Sequence, residues 1–304
     1  MPSSTDSRSA SSSALLRAMP AIFVLIWSTG FIVARYGMPH APPMSFLAIR
    51  YALSVACFLV WALAAGAAWP SAARQWLHLA VAGILMHAIY LGGVWIAVKL
   101  GMGAGLVSLL VSLQPVLTAV WLSSRGDRVS GSGWLGLALG LAGLLLVVWT
   151  KLGMGEAHLA NLACATAALL GITAGTLYQK RFVQACDVRT ANLVQLGTAL
   201  LVTLPIAMLE SEPMRWLGPD GAPNLELIGA MAWSVLGLTL GGSSLLYLMI
   251  QRGAATSVAS LFYLVPPTTA AIAWALFGEP ITVLTVAGTA LAALGVGIVV
   301  RQRT

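Results

Sequence analysis

Ten long apolar stretches follow one another along the chain, and short polar segments separate them. Each stretch has about 20 mostly apolar residues, the length that an α-helix needs to cross the hydrocarbon core of a bilayer. We therefore predict an all-α polytopic membrane protein with ten transmembrane helices. The predicted helices are 18–36, 44–65, 76–98, 103–124, 131–149, 158–178, 190–209, 226–249, 255–277 and 281–300.

The charged residues support this class and set an orientation. Only 8% of positions are charged, against about 25% in an ordinary soluble domain. Eleven of the sixteen Lys and Arg residues lie in segments on the side of the N-terminus, and four lie on the other side. Because Lys-rich and Arg-rich loops stay in the cytoplasm, we expect both termini there. The Ser-rich residues 1–17 are expected to form a disordered cytoplasmic tail.

The chain contains an internal repeat. Residues 101–148 match residues 253–300 at an offset of 152, and the first two predicted helices match more weakly at 145, with the seven extra residues placed in the loop 210–225. Aligned pairs include Gly101 and Gly253, Ser108 and Ser260, Pro115 and Pro267, Gly126-Asp127 and Gly278-Glu279, and Val147-Val148 and Val299-Val300. The repeat units are therefore 18–150 and 158–300, with five helices each. Since five is odd, the second unit enters the bilayer inverted, an arrangement that places a site at the midplane.

Three features together resemble a known family. Arg50 lies early in the second predicted helix, Gly278-Glu279 follows the ninth, and the fifth and tenth are rich in glycine. From Met19 to Val300 the chain resembles the drug/metabolite transporter superfamily, EamA type, and most of all the YddG-type bacterial exporters of aromatic and other amino acids. Asp127 stands where the family more usually has Glu.

The resemblance implies a multi-pass protein of the bacterial inner membrane. It also implies a central cavity, lined mainly by the first, third, fourth, sixth, eighth and ninth predicted helices. The expected partners are a small-molecule substrate and the lipid bilayer, with no nucleic acid, in a monomer. We expect no cofactor and no metal.

Several polar residues inside the predicted helices are candidates for substrate binding, because polar groups in a membrane are costly. His87 lies at the midpoint of helix 76–98, and Tyr90 shares its face. Its repeat partner is Thr239, and the same helix continues with Ser243 and Ser244. The alternative for His87 is a structural hydrogen-bonding group.

Two aromatic residues are candidates for stacking on an apolar or aromatic substrate. Trp27 lies at the centre of helix 18–36, and Tyr263 shares a face of helix 255–277 with Thr256 and Ser260. Packing between helices is the alternative for each of them.

Three prolines lie close to mid-membrane, namely Pro115, Pro266 and Pro267. Each removes a backbone donor inside a predicted helix. We interpret them as gating hinges, with a static bend as the alternative.

Three charged residues are interpreted as structural. Arg50 either extends to the membrane surface or caps a helix end, with binding of a substrate carboxylate as the alternative. Glu279 comes just before Pro280 and is expected to complement the positive end of the last helix dipole, with Asp127 in the equivalent role.

None of the nine carboxylates falls in the middle third of a predicted helix. This disfavours a carboxylate proton relay, so we expect facilitated diffusion or exchange of aromatic or apolar amino acids. The alternative is proton-coupled export of amphipathic drugs or other metabolites. An intramembrane enzyme is disfavoured because the chain has no HExxH or GxSxG motif.

Overall fold

The computed structural model describes residues 6–125, 131–242, 245 and 264–301, and the side chains of these residues except 6–18, 20, 122 and 299–301. The described residues form eleven helices, and their sole extended pairing is an isolated bridge between Leu217 and Pro223. The helices are α1 Asp6–Gly37, α2 Pro43–Ala64, α3 Ala73–Lys99, α4 Ala104–Val111, α5 Gln114–Ser124, α6 Gly131–Gly153, α7 Leu159–Phe182, α8 Val188–Ala207, α9 Leu225–Gly242, α10 Val265–Phe277 and α11 Val283–Arg301.

The apolar helices are those of a multi-pass membrane protein. Among the described residues, seven helices are long and apolar enough to cross a bilayer. They are α2, α3, α6, α7, α8, α9 and the span Ala104–Trp121, which joins α4 to α5. Three shorter apolar helices, Ala21–Gly37, Val265–Phe277 and Val283–Ile298, complete the set.

The first helix is longer than the predicted 18–36. It begins at Asp6, so residues 6–17 are helical where we expect a disordered tail. This segment contains two leucines, Leu15 and Leu16, and two alanines, Ala10 and Ala14. Leucine and alanine have high helix propensity, which favours an extension of the apolar helix into the polar tail.

Pro115 and Pro266 each lie in the first turn of a helix, whereas Pro20 and Pro205 lie inside α1 and α8. The predicted helix 103–124 is broken at Ser112 and Leu113, two residues before Pro115, which has no N–H to donate to the carbonyl of Val111. Helix α10 begins at Val265, so Pro266 lies in its first turn, where a missing N–H costs nothing. The structure therefore has a helix break just before Pro115, and the hinge role of the three prolines stays a prediction.

Helices α6 and α11 pack at backbone contact through their glycines. A Cβ atom built on Gly295 would lie 2.4 Å from the carbonyl oxygen of Gly136, and one built on Gly288 would lie 2.6 Å from that of Gly143. Small residues allow this close approach, which replaces the hydrophobic driving force that is absent between helices in lipid. The glycine-rich faces of these two helices are therefore used within the chain.

Candidate substrate site

Two membrane helices contain π-helical segments, which occur often at functional sites. One is Ile84–Ile89 in α3, and the other is Trp233–Gly242 in α9. At the 152-residue offset of the sequence repeat, residues 84–89 align with 236–241, inside the second segment. The two irregular segments thus occupy matching positions of the predicted repeat, and they contain His87 and Thr239.

Arg50 connects α2 to the second π-helical segment. Its side chain is buried, with 8% of the residue exposed. Nε and Nη2 donate to the hydroxyl of Thr239 over 3.4 and 3.2 Å, and that hydroxyl donates to the carbonyl of Ser234 over 2.8 Å. The guanidinium is therefore buried and hydrogen-bonded to α9 in the described structure.

The first π-helical segment lies beside the same arginine. The hydroxyl of Tyr51 donates to the carbonyl of His87 over 2.9 Å, and the two rings meet edge to face with centroids 6.2 Å apart. Arg50 is close enough to Tyr51, His87 and Tyr90 to interact with each of them electrostatically. The His87 side chain also reaches Gln195 on α8. We call Arg50, Tyr51, His87, Tyr90 and Thr239 the central polar cluster.

The central polar cluster has a positive charge without a described counter-charge. Seven of the nine carboxylates have described side chains, and each is engaged elsewhere. Their partners are Lys151 for Glu156, Arg189 for Asp187, the N-terminus of α2 for Glu210, Lys99 for Glu212, the Ala222 amide for Asp220, His40 for Glu226 and the N-terminus of α4 for Glu279. Among the described residues, the Arg50 guanidinium has only a neutral hydroxyl as its hydrogen-bond partner.

Trp27 lies on α1, next to the second π-helical segment. Its ring packs against Phe23 at a centroid distance of 5.3 Å. Residues around Trp27 contact α9, since Gly30 approaches Leu238 and Gly242 approaches Ile26. The helix that carries Trp27 is thus a neighbour of the segment that carries Thr239.

Four of the predicted residues, Ser243, Ser244, Tyr263 and Asp127, lie outside the described residues. The π-helical segments and the contact between Arg50 and Thr239 are features that sequence reasoning missed. The sequence contained two signals for these features. Arg50 is the only charged residue well inside a predicted helix, and His87 aligns with Thr239 in the predicted repeat.

Glu279 caps a different helix from the one we expect. Its carboxylate accepts from the amides of Ala104 and Gly105, at the N-terminus of α4, over 2.9 and 3.3 Å. The hydroxyl of Thr282 instead accepts from the amide of Thr285 at the start of α11. Gly278 adopts a left-handed φ of 65° and redirects the chain after α10, which separates Glu279 from the helix that follows it.

One end of the molecule is held together by a set of carboxylates that we call the carboxylate clamp. Each of its members comes from residues 210–279 and contacts a group from residues 40–105. The links join Glu210 to the Met44 and Ser45 amides, Glu212 to Lys99, Glu226 to His40, and Glu279 to the Ala104 and Gly105 amides, with hydrogen-bonding distances of 2.7 to 3.3 Å.

Comparison with known proteins decides the family. Two stretches of the chain, residues 18–149 and 159–301, each match the model of the EamA-like transporter family. The chain belongs to this family. The family match makes this EamA-like protein a membrane transporter, and the central polar cluster draws residues from both matched stretches.

Relatives of this EamA-like chain are transporters by name. An "Uncharacterized transporter" of Archaeoglobus fulgidus is 24% identical over 93% of this chain and 98% of its own length. A "Probable amino-acid metabolite efflux pump" of Salmonella typhimurium is 26% identical, covering 91% of this chain and 92% of that protein. One solved crystal structure, 18% identical, superposes with a TM-score of 0.62 over 92% of this chain and 95% of the other, which shows a shared fold.

Proposed function

We propose that this EamA-like transporter exports small metabolites, namely aromatic or apolar amino acids, across the bacterial inner membrane. The observation that carries the proposal is the central polar cluster, which joins Arg50, His87 and Tyr90 of the first family match to Thr239 of the second. A polar group buried between two membrane-spanning units is the usual place for a transported solute.

The amino-acid class draws support from the relatives and from the candidate side chains. The matched proteins of Salmonella typhimurium and Escherichia coli bear the name "Probable amino-acid metabolite efflux pump". In the proposal, Trp27 and Tyr90 contact the apolar side chain of the substrate, and His87 with Thr239 contacts its polar part. Aromatic rings give large contact area to such side chains. Ser243, Ser244 and Tyr263 complete the proposed site.

The proposed mechanism is alternating access between two inverted five-helix units, 18–150 and 158–300, with ten transmembrane helices and both termini in the cytoplasm. In this arrangement the carboxylate clamp closes the periplasmic end, and the helix break before Pro115 and the prolines Pro266 and Pro267 serve as hinges. The described central polar cluster has no carboxylate, so transport proceeds by facilitated diffusion or exchange.

The test is solute flux into liposomes that contain the purified protein. Labelled phenylalanine, threonine and an organic cation are compared with and without a pH gradient, using wild type, Trp27→Ala, His87→Ala and the control Trp149→Ala. Trp149 is 77% exposed and so suits the control. We expect phenylalanine flux that ignores the pH gradient and falls at least about tenfold in the first two variants. Flux of the cation alone, or flux that needs the gradient, would refute this function and favour proton-coupled drug export.

A further inference from the structure

We infer that Arg50 binds a carboxylate of the transported solute, which restricts the substrates to molecules with an anionic group next to an apolar body. This inference rests on the proposed function and deepens it. It starts from the position of Arg50, a buried cation about 10 Å along α2 from Pro43.

The chemistry of the guanidinium defines the ligand. Arginine stays protonated in proteins and presents five N–H donors in a planar fork that fits a carboxylate with two parallel hydrogen bonds. In the described structure Nε and Nη2 share a single acceptor, the Thr239 hydroxyl. A neutral hydroxyl fixes the orientation of the fork but leaves its charge uncompensated. A bound anion would therefore be attracted by the uncompensated charge and would accept hydrogen bonds from the unused N–H groups.

Two further hydroxyl groups provide an independent sign of an incomplete site. Ser54 and Ser234 are fully buried, and their Oγ atoms have no hydrogen-bond partner in the described part of the chain. Ser54 follows Arg50 by one turn on the same face of α2. Ser234 is the residue whose carbonyl accepts from Thr239. Buried hydroxyls are normally paired, and a carboxylate bound at Arg50 would offer an acceptor to these two.

The competing explanation is that Arg50 only joins α2 to α9. A purely structural link would require a well-matched acceptor, and an Asp or Glu in place of Thr239 would supply one. The chain instead uses a hydroxyl whose own proton goes to Ser234, so the oxygen accepts from Arg50 without neutralising it. Such an arrangement positions the arginine and leaves its charge for a ligand.

Competition at the wild-type protein tests the inference without any mutation. Phenylalanine flux is measured against 3-phenylpropionate, which has the carboxylate and no ammonium, and 2-phenylethylamine, which has the ammonium and no carboxylate. We expect half-inhibition at a concentration about tenfold lower or more for the acid, because loss of a partner to a charged group has an effect of this size. Equal or better competition by the amine would overturn the assignment of Arg50.

Substitution locates the effect at Arg50. Arg50→Gln removes the charge and keeps a polar side chain of similar reach, and Arg74→Gln is the matched control at an exposed arginine. We expect phenylalanine flux to fall about tenfold or more only in Arg50→Gln, with Arg50→Lys in between because lysine lacks the planar fork. Wild-type flux in a folded Arg50→Gln would contradict the inference.

Thermal stability separates failure of the inference from failure of the proposed function. We expect 3-phenylpropionate to raise the unfolding temperature of wild type and of Arg74→Gln but not of Arg50→Gln. This stabilisation without any amino-acid flux would support the anion site and refute the proposed function. Amino-acid flux with equal stabilisation by acid and amine would support the function and refute the anion site.

Discussion

At the scale of single residues, the central feature is a permanently charged side chain with a neutral partner. Arg50 meets Thr239 across 189 positions of sequence. The hydroxyl is well suited to this contact, because its O–H donates to the carbonyl of Ser234 while its oxygen accepts from the guanidinium. Because burial of a charge is costly, the stability of a buried cation depends strongly on each of its hydrogen-bond acceptors.

Replacement of Thr239 tests this dependence. Thr239→Val keeps the shape of the side chain and removes the acceptor, so we expect the free energy of unfolding to fall by about 2 kcal/mol. Thr239→Ser retains the hydroxyl and is the control. Denaturant unfolding in detergent gives the comparison. Equal stability of the valine and serine variants would show that the hydrogen bond to Arg50 contributes little.

At the scale of helices, irregular backbone and close packing are divided between different elements. The π-helical segments lie in α3 and α9, next to the central polar cluster. Regular backbone contact lies between α6 and α11, where Gly295 approaches both Gly136 and Gly140. The glycine contact forms a fixed support, while the irregular segments carry the candidate site.

Two glycines on α11 offer a matched test of that support. A Cβ atom at Gly295 would lie 2.4 Å from the Gly140 nitrogen, whereas one at Gly297 meets no atom within 4 Å. We expect Gly295→Ala to destabilise the protein by about 1–3 kcal/mol, because backbone atoms cannot move aside cheaply. Gly297→Ala should be neutral or stabilising by up to about 1 kcal/mol, since alanine favours helix. Unfolding curves that rank the two variants in the opposite order would refute this packing.

At the scale of the whole molecule, the carboxylate clamp links residues 210–279 to residues 40–105 at one end. Its members are Glu210, Glu212, Glu226 and Glu279. Gly103 belongs to the same arrangement, because a Cβ atom there would lie 2.8 Å from the Glu279 carboxylate. In the proposed alternating-access mechanism these links would break in each transport cycle, so we expect them to bias which end of the site is open.

Neutralising two members of the clamp tests this bias. We expect Glu210→Gln with Glu279→Gln to populate a longer distance between spin labels at Leu100 and Leu209, both exposed positions at the clamped end. Asp220→Asn is the control, because within the described part of the chain the hydrogen bond of its carboxylate goes to the Ala222 amide in its own loop. Pulsed electron–electron double resonance measures the distances. A distribution unchanged by the double substitution would show that the clamp does not hold this end closed.

The sequence alone determined the membrane class and most helix bounds, because the length and polarity of a stretch decide its transfer into lipid. It also aligned His87 with Thr239 in the predicted repeat. The sequence did not reveal the π-helical segments. It predicted a hinge at Pro115 but not the helix break before it, because hydropathy is insensitive to local backbone hydrogen bonding.

Only the tertiary structure decided which distant groups meet. Glu279 precedes α11 in sequence but caps α4, since the left-handed turn at Gly278 and the packing of α10 against α4 direct its carboxylate there. Arg50 is one of sixteen basic residues in sequence, and its burial against Thr239 depends on the contact of α2 with α9. Such contacts follow from the relative placement of helices, which apolar periodicity does not specify.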